Sequence, residues 1–147
     1  MPVFATVDDA LRGLAQLEHR LLRSTGAWDV PHVLHHFAQS IEYSMSGFPQ
    51  PKPAWFRATL GPAAFAVFSW RARMHHALDA PIPGAPAIAQ GLRLDTAVAH
   101  ALNALRAFER HAGPLQPHFA YGALDKPAFT RAHLLHLDDH WRVFAAA

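Results

Sequence analysis

Apolar residues recur at intervals of three and four along most of this 147-residue chain, which is the spacing of one face of an α-helix. The pattern predicts helices over residues 6–23, 28–46, 63–76, 95–111 and 125–144. Thr6 and Asp9 have the spacing of a capping box at the first start, and Pro31 and Pro127 stand in first turns, where proline is favoured. No stretch shows sustained strand-like alternation. The predicted fold class is therefore all-α, a four-helix bundle with one additional buried helix over 63–76.

The connections between these helices are rich in proline and glycine. The segment 49–53, PQPKP, cannot form regular secondary structure. The longer segment 79–91 contains Pro81, Pro83 and Gly84 and is predicted to be an irregular loop. Loops of this length in compact domains are either functional or disordered. Whether this proline-rich loop 79–91 acts as a lid over a site stays open at this stage.

Composition predicts one globular domain spanning 1–147. Half of the residues are apolar and 16% are charged, and the absence of cysteine removes disulfides, thiolate nucleophiles and sulfur metal ligands. The net charge of +2 is too small and scattered for nucleic acid binding. No apolar run approaches the length of a membrane span, and the N-terminus MPVFATVDDA lacks the pattern of a signal peptide. We therefore expect a cytoplasmic protein with no nucleic acid or membrane partner.

Histidines occupy the middle of the most apolar face of the last predicted helix. His136 and His140 are four residues apart and so lie one above the other, with His133 one turn earlier. A buried imidazole needs a polar partner, and one divalent metal ion satisfies two such rings at once. The HxxxH spacing lets two imidazoles bind one ion from a single helix. The alternative is a pair of core histidines that hydrogen-bond to backbone or side chains.

A catalytic metal site needs a third protein ligand, and the sequence offers several. It comes either from His133 or from the second helix, where His35 and His36 are both candidates that periodicity does not separate. His75 and His76 stand at the predicted end of helix 63–76, where the helix dipole favours a cation. For these two histidines we expect a structural role.

Short motifs follow one another in a fixed order along nearly the whole chain. Trp28 precedes a helix that carries His36-Phe37-Ala38, and the HxxxH pair closes the series. Between them lie Ser46-Gly47-Phe48-Pro49, Ala80-Pro81-Ile82-Pro83-Gly84 and His118-Phe119-Ala120-Tyr121-Gly122. In this order the motifs resemble the DinB/YfiT-like superfamily of metal-binding four-helix bundles, within an uncharacterised bacterial branch.

The resemblance implies a ligand set. One histidine from the second helix and two from the last bind a divalent metal in that superfamily, which here selects His36, His136 and His140. The implied ion is nickel or zinc, with iron or manganese as alternatives. Asp139 stands where the branch often has a histidine and is a candidate acceptor beside the ligands. Whether His133, His118 or Asp139 joins the site stays open.

The resemblance also implies a function: a metal-dependent hydrolase, or a transferase that uses a low-molecular-weight thiol, acting on a small-molecule substrate. The sequence identifies no catalytic residue beyond the ligands. The alternative is a non-catalytic metal-binding or small-molecule-binding protein, such as a stress protein or sensor. Relatives often pair through their helices, and Trp55, Phe56, Leu134 and Trp141 supply apolar side chains that permit a homodimer.

Overall fold

The computed structural model describes residues 4–147, which form a mostly helical chain with one small antiparallel sheet. The helices are α1 (Val7–Gln16), α2 (Val30–Ser46), α3 (Ala54–Ala58), α4 (Leu60–Arg71), α5 (Leu94–Arg110) and α6 (Lys126–Trp141). A single 3-10 turn, Leu17–His19, follows α1, and the two strands are β1 (Leu22–Ser24) and β2 (Phe144–Ala146). The predicted helical class is thus confirmed, with the small sheet as an addition.

Side-chain caps fix the starts of the helices that matter most for the site. Thr6 accepts a hydrogen bond from the backbone of Asp9, and the Asp9 carboxylate accepts one from the backbone of Thr6, so the predicted capping box is confirmed. Asp29 and Asp125 cap α2 and α6 in the same way, each accepting from the backbone N–H three residues further on. These caps satisfy backbone donors that the first turn of a helix leaves without partners.

One apolar core joins α1, α2, α5 and α6. Its largest fully buried side chains include Leu14, Leu34, Phe37, Leu105, Phe108, Phe129 and Leu137. Burying a side chain of this size contributes about 1.5–3 kcal/mol to folding. Because α2 lies against both α5 and α6 in this core, the inward histidines of α2 and α6 come to face each other.

Helix α4 corrects the prediction of an additional buried helix over 63–76. It runs from Leu60 to Arg71, ends where Ala72 takes a left-handed conformation with φ +53°, and buries only Gly61. Trp70 is 86% exposed. The prediction was wrong because an all-round apolar composition leads to burial only when other elements surround the helix. Here α4 packs against α3 and α6 and keeps its outer side exposed.

The last residues of the first and last predicted helices, 6–23 and 125–144, belong to the small sheet instead. Helix α1 stops at Gln16 instead of continuing to residue 23, and Leu21, which lies within the predicted helix, is 85% exposed. Leu22 lies opposite Ala146 in the antiparallel ladder, so strand hydrogen bonds replace helical ones at both ends. The pairing partner is more than 100 residues away in sequence, which a local pattern cannot reveal.

Two glycines allow the segment before α6 to cross closely over α3 and α4. A Cβ atom on Gly61 would lie 1.7 Å from the carbonyl oxygen of Ala120, which is far inside van der Waals contact. Gly122 has φ +80°, and a Cβ there would lie 2.6 Å from the carbonyl oxygen of Arg57. This close crossing fixes the position of His118 beside the site described below.

The apolar residues expected to permit a homodimer differ in exposure. Trp55 is 62% exposed, and Phe56 and Trp141 are half-buried. Leu134 is 5% exposed and belongs to the core, so its assignment to the surface was wrong. Across the described part of the chain, residues 4–147, none of the helices has both the length and the apolar character needed to cross a membrane.

Candidate metal centre

Four imidazole rings converge between α2, α6 and the segment that follows α4. Nε2 of His36 lies 3.1 Å from Nε2 of His136, and Nε2 of His76 lies 3.1 Å from Nε2 of His140. Each ring offers a nitrogen, and the four nitrogens all lie within 4.8 Å of one another. The structure therefore brings together the three histidines predicted as ligands and adds His76. We refer to these four residues as the histidine cluster.

The spacing of the histidine cluster fits a single transition-metal ion. Imidazole nitrogens bind zinc at about 2.0–2.1 Å, so two of them on one tetrahedral ion lie roughly 3.3 Å apart. The two closest pairs in the cluster are separated by 3.1 Å. Imidazole ligands suit zinc, nickel, iron and copper, whereas calcium and magnesium prefer oxygen. The cluster can therefore hold a divalent ion of zinc, nickel, iron or copper. Imidazole ligands alone do not select one of these metals.

Ser40 determines which nitrogen of His136 carries the proton. The Ser40 hydroxyl donates its only hydrogen to the carbonyl oxygen of Phe37 at 2.7 Å. Its contact with Nδ1 of His136, at 3.2 Å, must therefore be a bond that it accepts. The proton of His136 then sits on Nδ1, and the lone pair of Nε2 faces the histidine cluster. Such outer contacts fix the tautomer and orientation of metal-binding histidines.

Asp139 positions His76. Its side chain is fully buried, and Oδ2 lies 2.5 Å from Nδ1 of His76 while accepting a hydrogen bond from the His76 backbone at 3.2 Å. The ring is not aligned for a linear hydrogen bond to the carboxylate, so the contact is an electrostatic attraction between the Nδ1 side of the imidazole and the carboxylate. The other oxygen of Asp139 contacts the Arg142 guanidinium. Asp139 thus holds the irregular segment around His76 against α6. Because it contacts Nδ1 of His76, Nε2 of that ring is free to face the cluster.

Burial keeps the histidine cluster uncharged at neutral pH. Removal from water lowers the pKa of His36 to about 3, of His76 to about 4 and of His140 to about 2, and it lowers the pKa of His136 well below its usual value. Neighbouring rings add to the effect for three of these histidines, and Arg142 adds to it for His76. Neutral imidazole is the form that binds a metal ion.

Trp28 covers one side of the histidine cluster. Its indole stacks on His32 with ring centroids 4.2 Å apart and meets the edge of His36 at 5.0 Å. One of the rings that this tryptophan packs against is therefore a candidate ligand. This contact limits the rotation of the His36 ring.

A cavity of about 410 Å³ opens beside the histidine cluster. His36, His76 and His136 form part of its wall, and this volume is typical of small-molecule sites. The remaining lining is mainly apolar and comprises Ser40, Lys52, Met74, Ala77, Ala80, Pro81, Ile82, Pro83, His118, Phe119, Ala120, Tyr121, Ala132 and His133. The predicted proline-rich loop therefore forms a wall of the cavity.

The far end of that loop is anchored to the start of α2. Gln90 accepts a hydrogen bond from the backbone of Asp29 and donates one to the carbonyl oxygen of Ala27, both at 2.9 Å. The Asp29 carboxylate also accepts from the backbone of Gly91 at 2.7 Å. The residue that caps α2 therefore also fixes the far end of the loop that lines the cavity.

The other histidines considered as ligands lie outside the cluster. Nδ1 of His35 lies 2.7 Å from Nδ1 of His100, on the side of α2 that faces α5, so only His36 of the two candidates in α2 reaches the cluster. His133 is buried, and its Nε2 lies 3.2 Å from the Ser44 hydroxyl. His118 and His133 line the cavity without joining the four rings.

Sequence reasoning did not assign His76 to the site. The prediction extended helix 63–76 to this residue and gave it a structural role at the helix end, but α4 stops at Arg71. His76 lies on irregular backbone, where no helical periodicity indicates the direction of a side chain. The only available signal was its position just before the proline-rich loop.

A family model described as "Protein of unknown function (DUF1569)" matches residues 3–147, which is nearly the whole chain. Comparisons with curated proteins and with solved structures gave no match. The geometry of the site is therefore the basis for any statement about function.

Proposed function

The chain belongs to the DUF1569 family, whose description states no function, and from its site we propose that it is a divalent-metal-dependent enzyme acting on a small molecule. The observation that carries this proposal is the cluster of four uncharged imidazoles, three of which form part of the wall of a 410 Å³ cavity. We assign His36, His136 and His140 as ligands, with His76 as the fourth. We further propose that the fold is a four-helix bundle of the DinB/YfiT-like type.

The proposed reaction is a hydrolysis or a transfer that involves a low-molecular-weight thiol. A divalent ion, when bound by neutral imidazoles, lowers the pKa of a bound water or thiol so that a nucleophile forms at neutral pH. The chain has no cysteine, so any thiol must come from the substrate or a co-substrate. The residues of the chain hold the rings in position. The Ser40 oxygen accepts a hydrogen bond from Nδ1–H of His136, and the apolar wall excludes water.

Metal content tests the proposal that the protein binds a divalent ion. Protein purified without a tag and dialysed against zinc or nickel should hold about one ion per chain, measured by mass spectrometry of the metal. His76→Gln should weaken binding, and His75→Gln, which changes the exposed neighbouring histidine, should not. A wild type that retains only traces of either metal after dialysis would refute the metal site.

Asp139→Asn should lower metal affinity by about 10–100-fold, the usual effect of removing a partner of a metal-binding histidine. The reason is that the amide no longer attracts Nδ1–H of His76 as a carboxylate does. Competition with a chromophoric chelator measures the affinity, and Asp79→Asn at an exposed position is the control. Equal affinities for Asp139→Asn and wild type would show that Asp139 does not support the site.

An activity assay tests the proposal that the protein is an enzyme. Loaded wild-type protein is assayed against a panel of esters and against electrophiles paired with low-molecular-weight thiols, and His136→Ala is assayed beside it. Activity that appears only in the loaded wild type supports an enzyme. A fully loaded protein without activity on the whole panel would favour a binding protein.

A further inference from the structure

His118 is held in one orientation at the wall of the cavity. Its Nδ1 accepts hydrogen bonds from the backbone N–H groups of Ala120 and Tyr121, each at 3.1 Å. Its ring stacks on Tyr121 with centroids 4.2 Å apart and an interplanar angle of 9°. Its own backbone exchanges two hydrogen bonds with Gly122, the glycine that the close crossing requires. Neither the ring nor its loop can turn without breaking these contacts.

The contacts of Nδ1 determine the chemistry of the other ring nitrogen. A nitrogen that accepts two hydrogen bonds carries no proton, so the proton of neutral His118 sits on Nε2. Burial lowers the pKa of His118 to about 3, and the ring is therefore neutral at physiological pH. Nε2–H has no hydrogen-bond partner within residues 4–147. The cavity wall thus contains a fixed hydrogen-bond donor that the protein itself does not use.

Lys52 lies beside the loop that carries His118. Its backbone N–H donates to the carbonyl oxygen of Phe119 at 2.8 Å, which joins it to the loop of His118. The lysine side chain lines the same cavity, its Nζ lies 5.1 Å from the ring of Phe56, and it forms no ion pair with the residues that the structure describes. It is the one lysine or arginine in the lining. A neutral N–H donor and a lysine side chain therefore line the same cavity, and their backbones are joined through the loop of His118.

The histidine cluster occupies a different part of the wall. The rings that His118 contacts are Phe48, Phe119, Tyr121 and Phe129, and none of them belongs to the cluster. Met74 and Ile82, both buried, line the cavity as well. A ligand that fills this space touches imidazoles, apolar side chains and the pair of donors.

We propose that His118 and Lys52 form a carboxylate-binding subsite, so that the substrate is a small organic acid with an apolar body. The carboxylate accepts a hydrogen bond from Nε2–H of His118 and is paired with the Lys52 ammonium group. The apolar body lies against Met74 and Ile82, and the opposite end of the molecule reaches the histidine cluster. This assignment rests on the proposed function because it names the substrate class of the same cavity.

The test compares acids with alcohols of the same carbon skeleton. Hexanoate and 3-phenylpropanoate are titrated against hexanol and 3-phenylpropanol by calorimetry, on protein stripped of metal and on protein loaded with zinc. His118→Asn keeps an oxygen close to the position of Nδ1, so the amides of the loop keep an acceptor while the Nε2–H donor is lost. Lys52→Met keeps the aliphatic stem and removes the charge. Thermal unfolding of each variant reports separately on the fold.

The acids should bind metal-free wild type more tightly than the alcohols do. His118→Asn should weaken acid binding by roughly 10-fold or more, as expected for a hydrogen bond to a charged group, and leave alcohol binding within about 2-fold. Lys52→Met should weaken acid binding by about 2–5-fold, since the ammonium group is exposed. Nitrogen NMR of the histidine side chains should show the His118 proton on Nε2.

Three results would overturn the subsite: no binding of either acid to wild type, equal binding of acids and alcohols, or acid binding that His118→Asn leaves unchanged. A His118 proton found on Nδ1 would also overturn it. These outcomes are independent of the metal proposal, because the metal-free titration needs no ion. A chain that binds acids but no metal would retain the subsite and lose the proposed enzyme.

Discussion

His136→Ala is expected to lose both the bound ion and the thermal stabilisation that the ion provides. A ligand present at 1,000 times its dissociation constant stabilises the folded state by about 4 kcal/mol. For a chain of this size, such a gain raises the melting temperature by roughly 10–15 °C. Wild type loaded with zinc should therefore melt about that far above the same protein treated with EDTA. The variant should show almost no difference between the two conditions.

Comparison within each variant separates metal loss from damage to the fold. His136 is half-buried between the helices, so its replacement also lowers the stability of the metal-free protein, and only the zinc-dependent increment reports on the site. His140→Gln is a second variant at the other position of the HxxxH pair, and His75→Gln at the exposed neighbour of His76 is the control. Differential scanning calorimetry gives both melting temperatures. An increment that survives in His136→Ala and His140→Gln would contradict the assigned ligands.

Metal-free protein is expected to lose stability steeply as the pH falls below about 6.5. Burial lowers the pKa of both His118 and His133 to about 3, whereas in the unfolded chain each titrates near 6.5. Above pH 6.5 the rings are neutral in both states and stability does not depend on them. Between about pH 6.5 and pH 3 the unfolded chain binds more protons, so acidification favours unfolding. Each ring should remove about 2 kcal/mol of stability between pH 7 and pH 5.

Urea unfolding at a series of pH values measures this dependence. His133→Gln is the matched variant, because a glutamine amide can donate to Ser44 in place of Nε2–H and does not titrate. Its stability should fall less steeply than that of wild type, by up to about 1.4 kcal/mol per pH unit. His19→Gln at an exposed position should leave the slope unchanged. Equal slopes for His133→Gln and wild type would show that folding does not change the proton affinity of His133.

The helices that carry the site were predictable because their signals are local. The carboxylate of Asp29 and the proline after it mark the start of α2, and Asp125 marks the start of α6. The HxxxH spacing then places two rings on the same side of α6. The extent of burial of α6 was less predictable, because a charged residue of this helix, Asp138, is only 6% exposed. Because α1, α2 and α4 all contact α6, burial extends around most of this helix.

The remaining parts of the site depend on contacts that are distant in sequence. Residue His76 reaches the cluster through Asp139, which lies 63 positions further along the chain. The choice between His35 and His36 depends on which side of α2 faces α6, and the apolar pattern did not separate the two residues. In the same way, the fixed proton of His118 depends on a turn that closes through Gly122. Helical periodicity carries no information about these three arrangements.

The four rings do not share the same mechanical support. His36, His136 and His140 are carried by long helices whose backbone hydrogen bonds resist displacement, whereas His76 belongs to an irregular segment attached mainly through one carboxylate. Segments with few such constraints are the first to open locally. If the site holds an ion, the ligand on the least constrained backbone, His76, decides whether three or four rings bind it. Replacing a ring by an incoming molecule then costs the least free energy at His76.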